Sequence, residues 1–334
     1  MGSRFAPVPL VGTSSDLRAD IIAWVSSEPL RALIKEFGGD PDIVTAASAT
    51  LGSILAELDV FTDRWDTRNG RERNLAGELE LTEGQVDLVV RAADALGLRS
   101  ARLPRHNSYD HVLMLGGLVR ACVARPAYAA HLVQKGHITA ESVIALGAHR
   151  PFGGDEFDFA KKLGLPGVTE EYDAMDAGTR RAFNLGEPEK VEGETSELVG
   201  GTWGVRRYRT ADDMPVLVAA APSTEPVERR ANTPDSYAWL ADHLVALKSG
   251  QRLLMITTPI YVPAQHAAAV RMLKLPHEVD VETVGTDPEV IGTAKQTTTP
   301  TRYLQEIRST VRALRQLHGK LPEVSSADPS SYDR

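Results

Sequence analysis

Five short apolar runs constrain this chain more than any other feature. "DHVLML" ends at Leu115, meets Gly116–Gly117 and leads into an amphipathic stretch over about 118–135. "SVIALG" (142–147), "MPVLVAAAP" (214–222) and "QRLLMITTP" (251–259) are each followed by a helical pattern, over about 155–163, 233–247 and 263–273. "EVDVETVG" (278–285) alternates and reads as an edge strand. Near-continuous apolar strands separated by helices specify a parallel sheet covered on both faces. The expected class is α/β, doubly wound and mainly parallel, with a helical N-terminal segment.

That segment shows period-3.6 patterning and no strand. "DLRADIIAWVSSEPLRALIKEF" puts Leu17, Ile21, Ile22, Trp24 and Val25 on one face, continued by Leu30, Leu33 and Ile34 after Pro29. "DPDIVTAASATLGSILAELDVF" reads as a second helix, with Asp40 as N-cap and Pro41 in its first turn. "LTEGQVDLVVRAADALGL" is a third, with Thr82 and Gln85 at capping-box spacing and Gly97 as a stop. The link "TDRWDTRNGRERN" is polar and reads as a surface loop. The expected organisation is a helical segment over 1–105 and a Rossmann-like α/β domain over 106–290. An insertion at about 167–213 lies over the ligand face, and a C-terminal helix and tail fill 291–334. "GTWGVRRYRT" in the insertion alternates like a hairpin strand, the basic residues of the C-terminal helix read as a solvated face, and the last ten residues read as a frayed tail.

A formal net charge of −8 repels a phosphate backbone, so no nucleic-acid partner is expected. No stretch reaches the roughly 18–20 apolar residues of a membrane span, and the N-terminus has no signal-peptide core. The expectation is a cytoplasmic protein without a membrane partner. The single cysteine, Cys122, reads as a small buried residue on a helix. HExxH, CxxC, a Walker A loop, a complete dinucleotide fingerprint and a G-x-S-x-G elbow are all absent from the sequence. No metal is therefore expected.

Ligands of open α/β sheets sit beyond the carboxyl ends of the strands, which selects the loops after the five runs. The first brings Gly116, Gly117 and Arg120; the second Gly147, His149, Arg150 and Glu156. The third brings Ser223, Thr224, Glu225, Arg229, Arg230, Asn232 and Thr233; the fourth Thr257, Thr258, Tyr261, Gln265 and His266; the fifth Gly285 and Thr286. Arginines beside helix N-termini suit a small anionic ligand, because guanidinium donors and helix N–H groups both favour phosphate or carboxylate. Arg120, Arg150 and Arg230 are the expected anion contacts. Gly116, Gly117, Gly147, Thr224, Asn232, Thr233, Thr257, Thr258 and Tyr261 complete the ligand set. His149, Glu156 and Glu225 are the candidates for moving a proton. Bland readings stand beside these: Gly116–Gly117 as a tight turn, Arg120 as a surface residue, Glu156 as a helix-dipole charge, Asn232 as an N-cap with Pro234 in the first turn, Tyr261 and His266 as packing.

The order of four elements resembles the YdcF/SanA/ElyC-like family. They are "DHVLMLGG" with Arg120 and "AYAAHLVQKG"; "VIALGAHRP" with Glu156; "STEPVERRANTPDSYAWL"; and "ITTPIYVPAQHAAAV". The likeness spans about 109–285. It departs at Gly147–Ala148–His149 (Ser–Gly–Gly in the family), at Asp235–Ser236 (Glu–Asn), at Val262 (His) and at Ala264 (Arg). With no anchor segment, the chain is most similar to the soluble branch, for which the resemblance implies S-adenosylmethionine as a ligand of the Rossmann-like domain. Two functions stand open. One is an enzyme that binds a nucleotide-like, S-adenosylmethionine-like or phosphorylated ligand and carries out group transfer or hydrolysis in biosynthesis. The other is a non-catalytic binding or regulatory module, or a protein related to envelope precursors. The helical N-terminal segment could also serve as a homodimer surface.

Overall fold

The computed structural model describes residues 4–44, 50–67 and 77–322. Its centre is one seven-stranded sheet: β1 (Ser108–Leu115), β2 (Thr139–Gly147), β3 (Lys190–Glu194), β4 (Trp203–Arg209), β5 (Pro215–Ala220), β6 (Arg252–Thr257) and β7 (Asp280–Gly285). The order across the sheet is β3-β4-β5-β2-β1-β6-β7. β5, β2, β1, β6 and β7 are parallel neighbours, while β3 and β4 add on antiparallel beside β5. In chain order the five parallel strands lie third, second, first, fourth, fifth, which makes the sheet doubly wound and Rossmann-like. β7 is an edge, as its alternation predicts.

Period-2 geometry sorts the strand residues onto two cores. Leu113, Leu115, Ile144, Leu146, Leu217, Leu253 and Met255 face one core. Val112, Met114, Val143, Ala145, Val218, Leu254 and Ile256 face the other. The second core is covered by α5 (Val119–Gln134), α6 (Glu156–Lys162), α7 (Glu171–Phe183) and α11 (Pro288–Ile291). The first is covered by α8 (Thr233–Trp239), α9 (Val262–Ala269) and α12 (Pro300–His318), with a single turn, α10 (Leu275–His277), after α9. The same core takes in α1 (Leu17–Val25), α2 (Glu28–Glu36), α3 (Leu51–Thr62) and α4 (Glu83–Ala95).

The local signals for helix ends hold where they can be followed. Thr82 and Gln85 form the capping box of α4, Gly97 has φ +84° just past it, and Thr299 caps α12. Asp40 accepts from the Asp42 N–H, but what it starts is one 3₁₀ turn, Pro41–Val44. α3 starts afresh at Leu51 with Thr50 as cap. Residues 45–49 of the expected second helix lie outside the described residues, as do 68–74 of the polar link and the tail beyond 322.

Five expectations need correction. Ile22 is 46% exposed, because the buried stripe of α1 runs through Ile21, Trp24 and Val25. Trp65, in the expected surface loop, is fully buried with its ring edge-on to Phe37 and Phe61. The 167–213 stretch is more than a cover over the ligand face: α7 packs on α5 and the β3–β4 hairpin extends the ladder beyond β5, with Glu171 and Val199 at the carboxyl edge. The C-terminal helix is no separate appendage, since α12 packs on α3, α4 and α9. Nor is its basic face wholly solvated, because Arg308 is 6% exposed and ion-paired with Asp63 and Asp66.

Candidate functional site

In an open sheet the crevice forms where neighbouring strands send their helices to opposite faces. β1 leads into α5 on one face and β6 leads, through Pro259–Tyr261, into α9 on the other. An inner cavity of about 510 Å³ opens there, lined by Gly116–Ala121, Ile260 and Tyr261, with Glu306 of α12 and Glu78 of the N-terminal layer. An outer cavity of about 570 Å³ lies over the ends of β1 and β2, walled by Val199 of the β3–β4 turn and by Arg229–Thr233. Both are lined by Gly116, Gly117, Arg150 and Gln265, so together they form one cleft along the carboxyl edge.

Arg150 sits at the centre of this edge, held by two carboxylates. Its terminal nitrogens meet Glu156 at 2.7 and 2.9 Å, and its Nε donates to Glu171 at 2.9 Å. It also donates to the Gly117 carbonyl. The expectation of an arginine reserved for a ligand anion needs revision, since the protein's own carboxylates occupy its fork. Glu156 is 2% exposed and also accepts from the Val119 N–H at 3.0 Å and the Gly153 N–H at 3.1 Å. Burial works to raise its pKa, but the hydrogen bonds from Arg150, Gly153 and Val119 outweigh burial and hold it below the usual carboxylate range. Glu156 is thus a fixed anion at the first turn of α5, and both the proton-moving role and the simple dipole charge understate its contacts.

A second pair repeats the device at α8. Asp235 accepts from the Asn232 and Thr224 N–H groups and from the Thr224 hydroxyl, and it pairs with Arg229. Burial works against ionisation here too, yet Arg229 and these donors bring its pKa down to about 2. Asn232 caps α8 as its sequence position predicts and lines the outer cavity, next to Arg230 and Thr233.

The other predicted residues divide. Arg120 lines the inner cavity; its guanidinium lies 3.6 Å from the Phe159 ring centroid and donates to the Lys295 carbonyl at 3.0 Å. Tyr261 faces the same cavity, and Gly147 faces the outer one. A Cβ on Gly116 would sit 2.2 Å from Glu171 Oε1 and 2.6 Å from the Leu146 carbonyl oxygen. The glycine therefore makes room for the protein's own atoms. His149 turns out of the cleft lining: its Nδ1 lies 3.2 Å from Glu170, and its ring stands edge-on to Tyr172. Glu225 is more than half exposed and paired with Arg229. Thr224 is bound to Asp235 and Arg229, Thr257 is fully buried, and Thr258 accepts from Arg125 at 3.1 Å. These five residues lie outside the lining of both cavities.

Two lining residues escape a loop-by-loop reading of the sequence. Arg125, 1% exposed on α5, donates to the Leu115 and Gly116 carbonyls and to Thr258, tying the end of β1 to the end of β6. A charge set between Ala124 and Pro126, in the apolar middle of α5, was the available signal. Glu171, 7% exposed, begins α7 and carried no motif. Gln265, which the fourth loop did bring forward, lies on α9 and lines both cavities. Cys122 is fully buried, and burial pushes its thiol pKa far up. Among the described residues there is no group of three or more His, Cys, Asp or Glu side chains that could hold a metal, and no helix long and apolar enough to cross a membrane.

A family model described as the Rv3785 N-terminal domain matches residues 10–97, the stretch that holds α1–α4. Nearly the whole chain is similar to the uncharacterized protein Rv3785 of Mycobacterium tuberculosis, at 29% identity over 350 residues, covering 96% of this chain and 94% of the relative. The uncharacterized protein Mb3814 of Mycobacterium bovis is similar to the same extent. No solved structure matches.

Proposed function

We propose that the chain is a small-molecule enzyme that holds a nucleotide-like, S-adenosylmethionine-like or phosphorylated ligand across the cleft at the carboxyl edge of the sheet. Group transfer or hydrolysis is the reaction class. The observation that carries this reading is the meeting of two cavities, of about 510 and 570 Å³, across Gly116–Gly117 at the point where α5 and α9 part. Each is large enough for one part of a drug-sized ligand. Phe159 and Tyr261 line the inner cavity, Arg120 lying over the Phe159 ring, and Gln265 and Thr233 offer polar groups. The likeness to the YdcF/SanA/ElyC-like family is part of the proposal, supported by the order of its four elements along this edge.

A non-catalytic binding module is the second reading. The pairing of Arg150 and Arg229 with internal carboxylates favours it, because neither guanidinium is left to stabilise charge on a reacting group.

Thermal-shift measurements with AMP, S-adenosylmethionine and glucose 1-phosphate test the reading. A probe at a hundred times its Kd stabilises by about 2.7 kcal/mol, and Gln265→Leu, which alters both cavities, is expected to abolish that gain. Stabilisation that survives both Gln265→Leu and Arg120→Ala would place the ligand elsewhere. Mass spectrometry of the bound probe then separates turnover from binding.

A further inference from the structure

Two buried carboxylates share Arg150, and they are not equivalent. Glu156 is saturated by Arg150 and by the N–H groups of Val119 and Gly153, and it lines only the inner cavity. Glu171 lines the outer cavity. Its Oε2 accepts from Arg150 Nε at 2.9 Å, while its Oε1 accepts no hydrogen bond from any described residue. That oxygen lies directly under Gly116, where any side chain would meet it. One oxygen is thus anchored and the other is presented to the cleft beside the backbone of Gly116 and Gly147.

We propose that Glu171 is the proton-exchanging group of the cleft, positioned by Arg150 to meet an O–H or N–H of the ligand in the outer cavity. The inference rests on the reading that the cleft holds a ligand. In the step, the ligand's O–H or N–H bond breaks, an O–H bond forms at Glu171 Oε1, and the electron pair stays on the ligand atom. Nothing is oxidised or reduced.

The charges around Glu171 come from every neighbouring element. Arg150 approaches from the β2–α6 connection and Arg125 from α5. Glu156 of α6 repels it, the Cys122 thiol of α5 lies close to its backbone, and its neighbour Glu170 is held by His149. Burial raises the Glu171 pKa above the usual carboxylate range, with the two arginines opposing. A carboxylate so placed takes up a proton more readily near neutrality than a solvated one.

The test uses the full chain carrying glutamate labelled with ¹³C at the side-chain carboxyl, titrated by NMR. The Glu171 signal, assigned through its own side-chain correlations in the wild type, is expected to titrate above the other glutamates. It should vanish in Glu171→Gln and persist in Glu156→Gln. An ordinary Glu171 midpoint in the wild type overturns the proposal without any variant. AMP, S-adenosylmethionine and glucose 1-phosphate are then titrated against both proteins across the same pH range. Affinity of a bound probe should change around the Glu171 midpoint in the wild type and lose that dependence in Glu171→Gln. An unchanged pH profile in Glu171→Gln overturns the proton role even though the cleft is real. Failure of all three probes to stabilise the wild type overturns the cleft reading, and the ligand step with it, whatever the NMR shows.

Discussion

The Glu156 carboxylate accepts a hydrogen bond from the Val119 N–H at 3.0 Å, so the first turn of α5 is closed by a side chain 37 residues further along the chain. In nucleotide-binding sheets that turn is where a phosphate is held. Here a buried acid stands in the place of the anion, and Arg150 keeps it ionised. Removing it leaves Arg150 without its bidentate partner and α5 without an acceptor. Glu156→Ala is expected to lose about 3–5 kcal/mol of unfolding free energy in denaturant titrations. Because the folded pKa lies below the unfolded one, the carboxylate's stabilisation is present above the unfolded pKa and is lost as pH falls through the folded pKa. The gap between wild type and Glu156→Gln should therefore narrow in acid, and a constant gap would contradict the assignment.

Close backbone approach gives a second prediction. A Cβ on Gly178 of α7 would lie 2.0 Å from the Cys122 carbonyl oxygen of α5, and neither helix backbone can yield without moving off the sheet. Gly178→Ala is expected to destabilise by about 1–3 kcal/mol or more through overpacking, despite the better helix propensity of alanine. A raised melting temperature in calorimetry would show that α5 and α7 are farther apart than described.

His266 sets a pH dependence of the opposite chemical type. It is 3% exposed, bonded through Nδ1 to Thr283, and burial lowers its pKa to about 4. The unfolded chain, with an ordinary value near 6.5, binds that proton first. Stability is therefore full above the unfolded pKa and falls as pH drops from about 6.5 towards 4, by at most about 3 kcal/mol from this residue. Urea titrations of wild type and His266→Gln at neutral and mildly acidic pH should show a shallower decline in the variant. Equal slopes would mean that the ring is protonated in the folded state.

Arg120 separates ligand effects from stability. Its carbonyl bonds and its stacking on Phe159 are partly exposed, so Arg120→Ala should cost roughly 1 kcal/mol or less without ligand. Any probe seated in the inner cavity should then lose far more of its stabilisation than the protein loses on its own. The comparison is made on the two melting temperatures, with and without AMP.

Much of the architecture is legible along the chain because strand faces and helix caps are written locally. The alternation of Val112, Leu113, Met114 and Leu115 across two cores is such a feature, and so is the Thr82–Gln85 capping box. The site was legible as an edge but not as chemistry. Arg120 and Arg150 look alike in sequence, each just past a strand-ending glycine, yet one lies on an aromatic ring and the other is enclosed by Glu156 and Glu171. Which carboxylate meets which arginine depends on how α6 and α7 return to the sheet, and no spacing within a loop encodes that return. Trp65 was misplaced for the same reason: polar neighbours in sequence conceal the pocket that Phe37 and Phe61 build around it.

The packing of α12 carries a consequence for biosynthesis of the chain. Leu304, Ile307, Val311 and Leu314 complete a core that Leu30, Leu55 and Val89 begin. A ribosome delivers the early helices long before the one that seals them, and the whole sheet emerges in between. The apolar side of α1–α4 must stay unsealed through that interval, so a fragment ending before residue 300 is expected to be sticky and a target for chaperones.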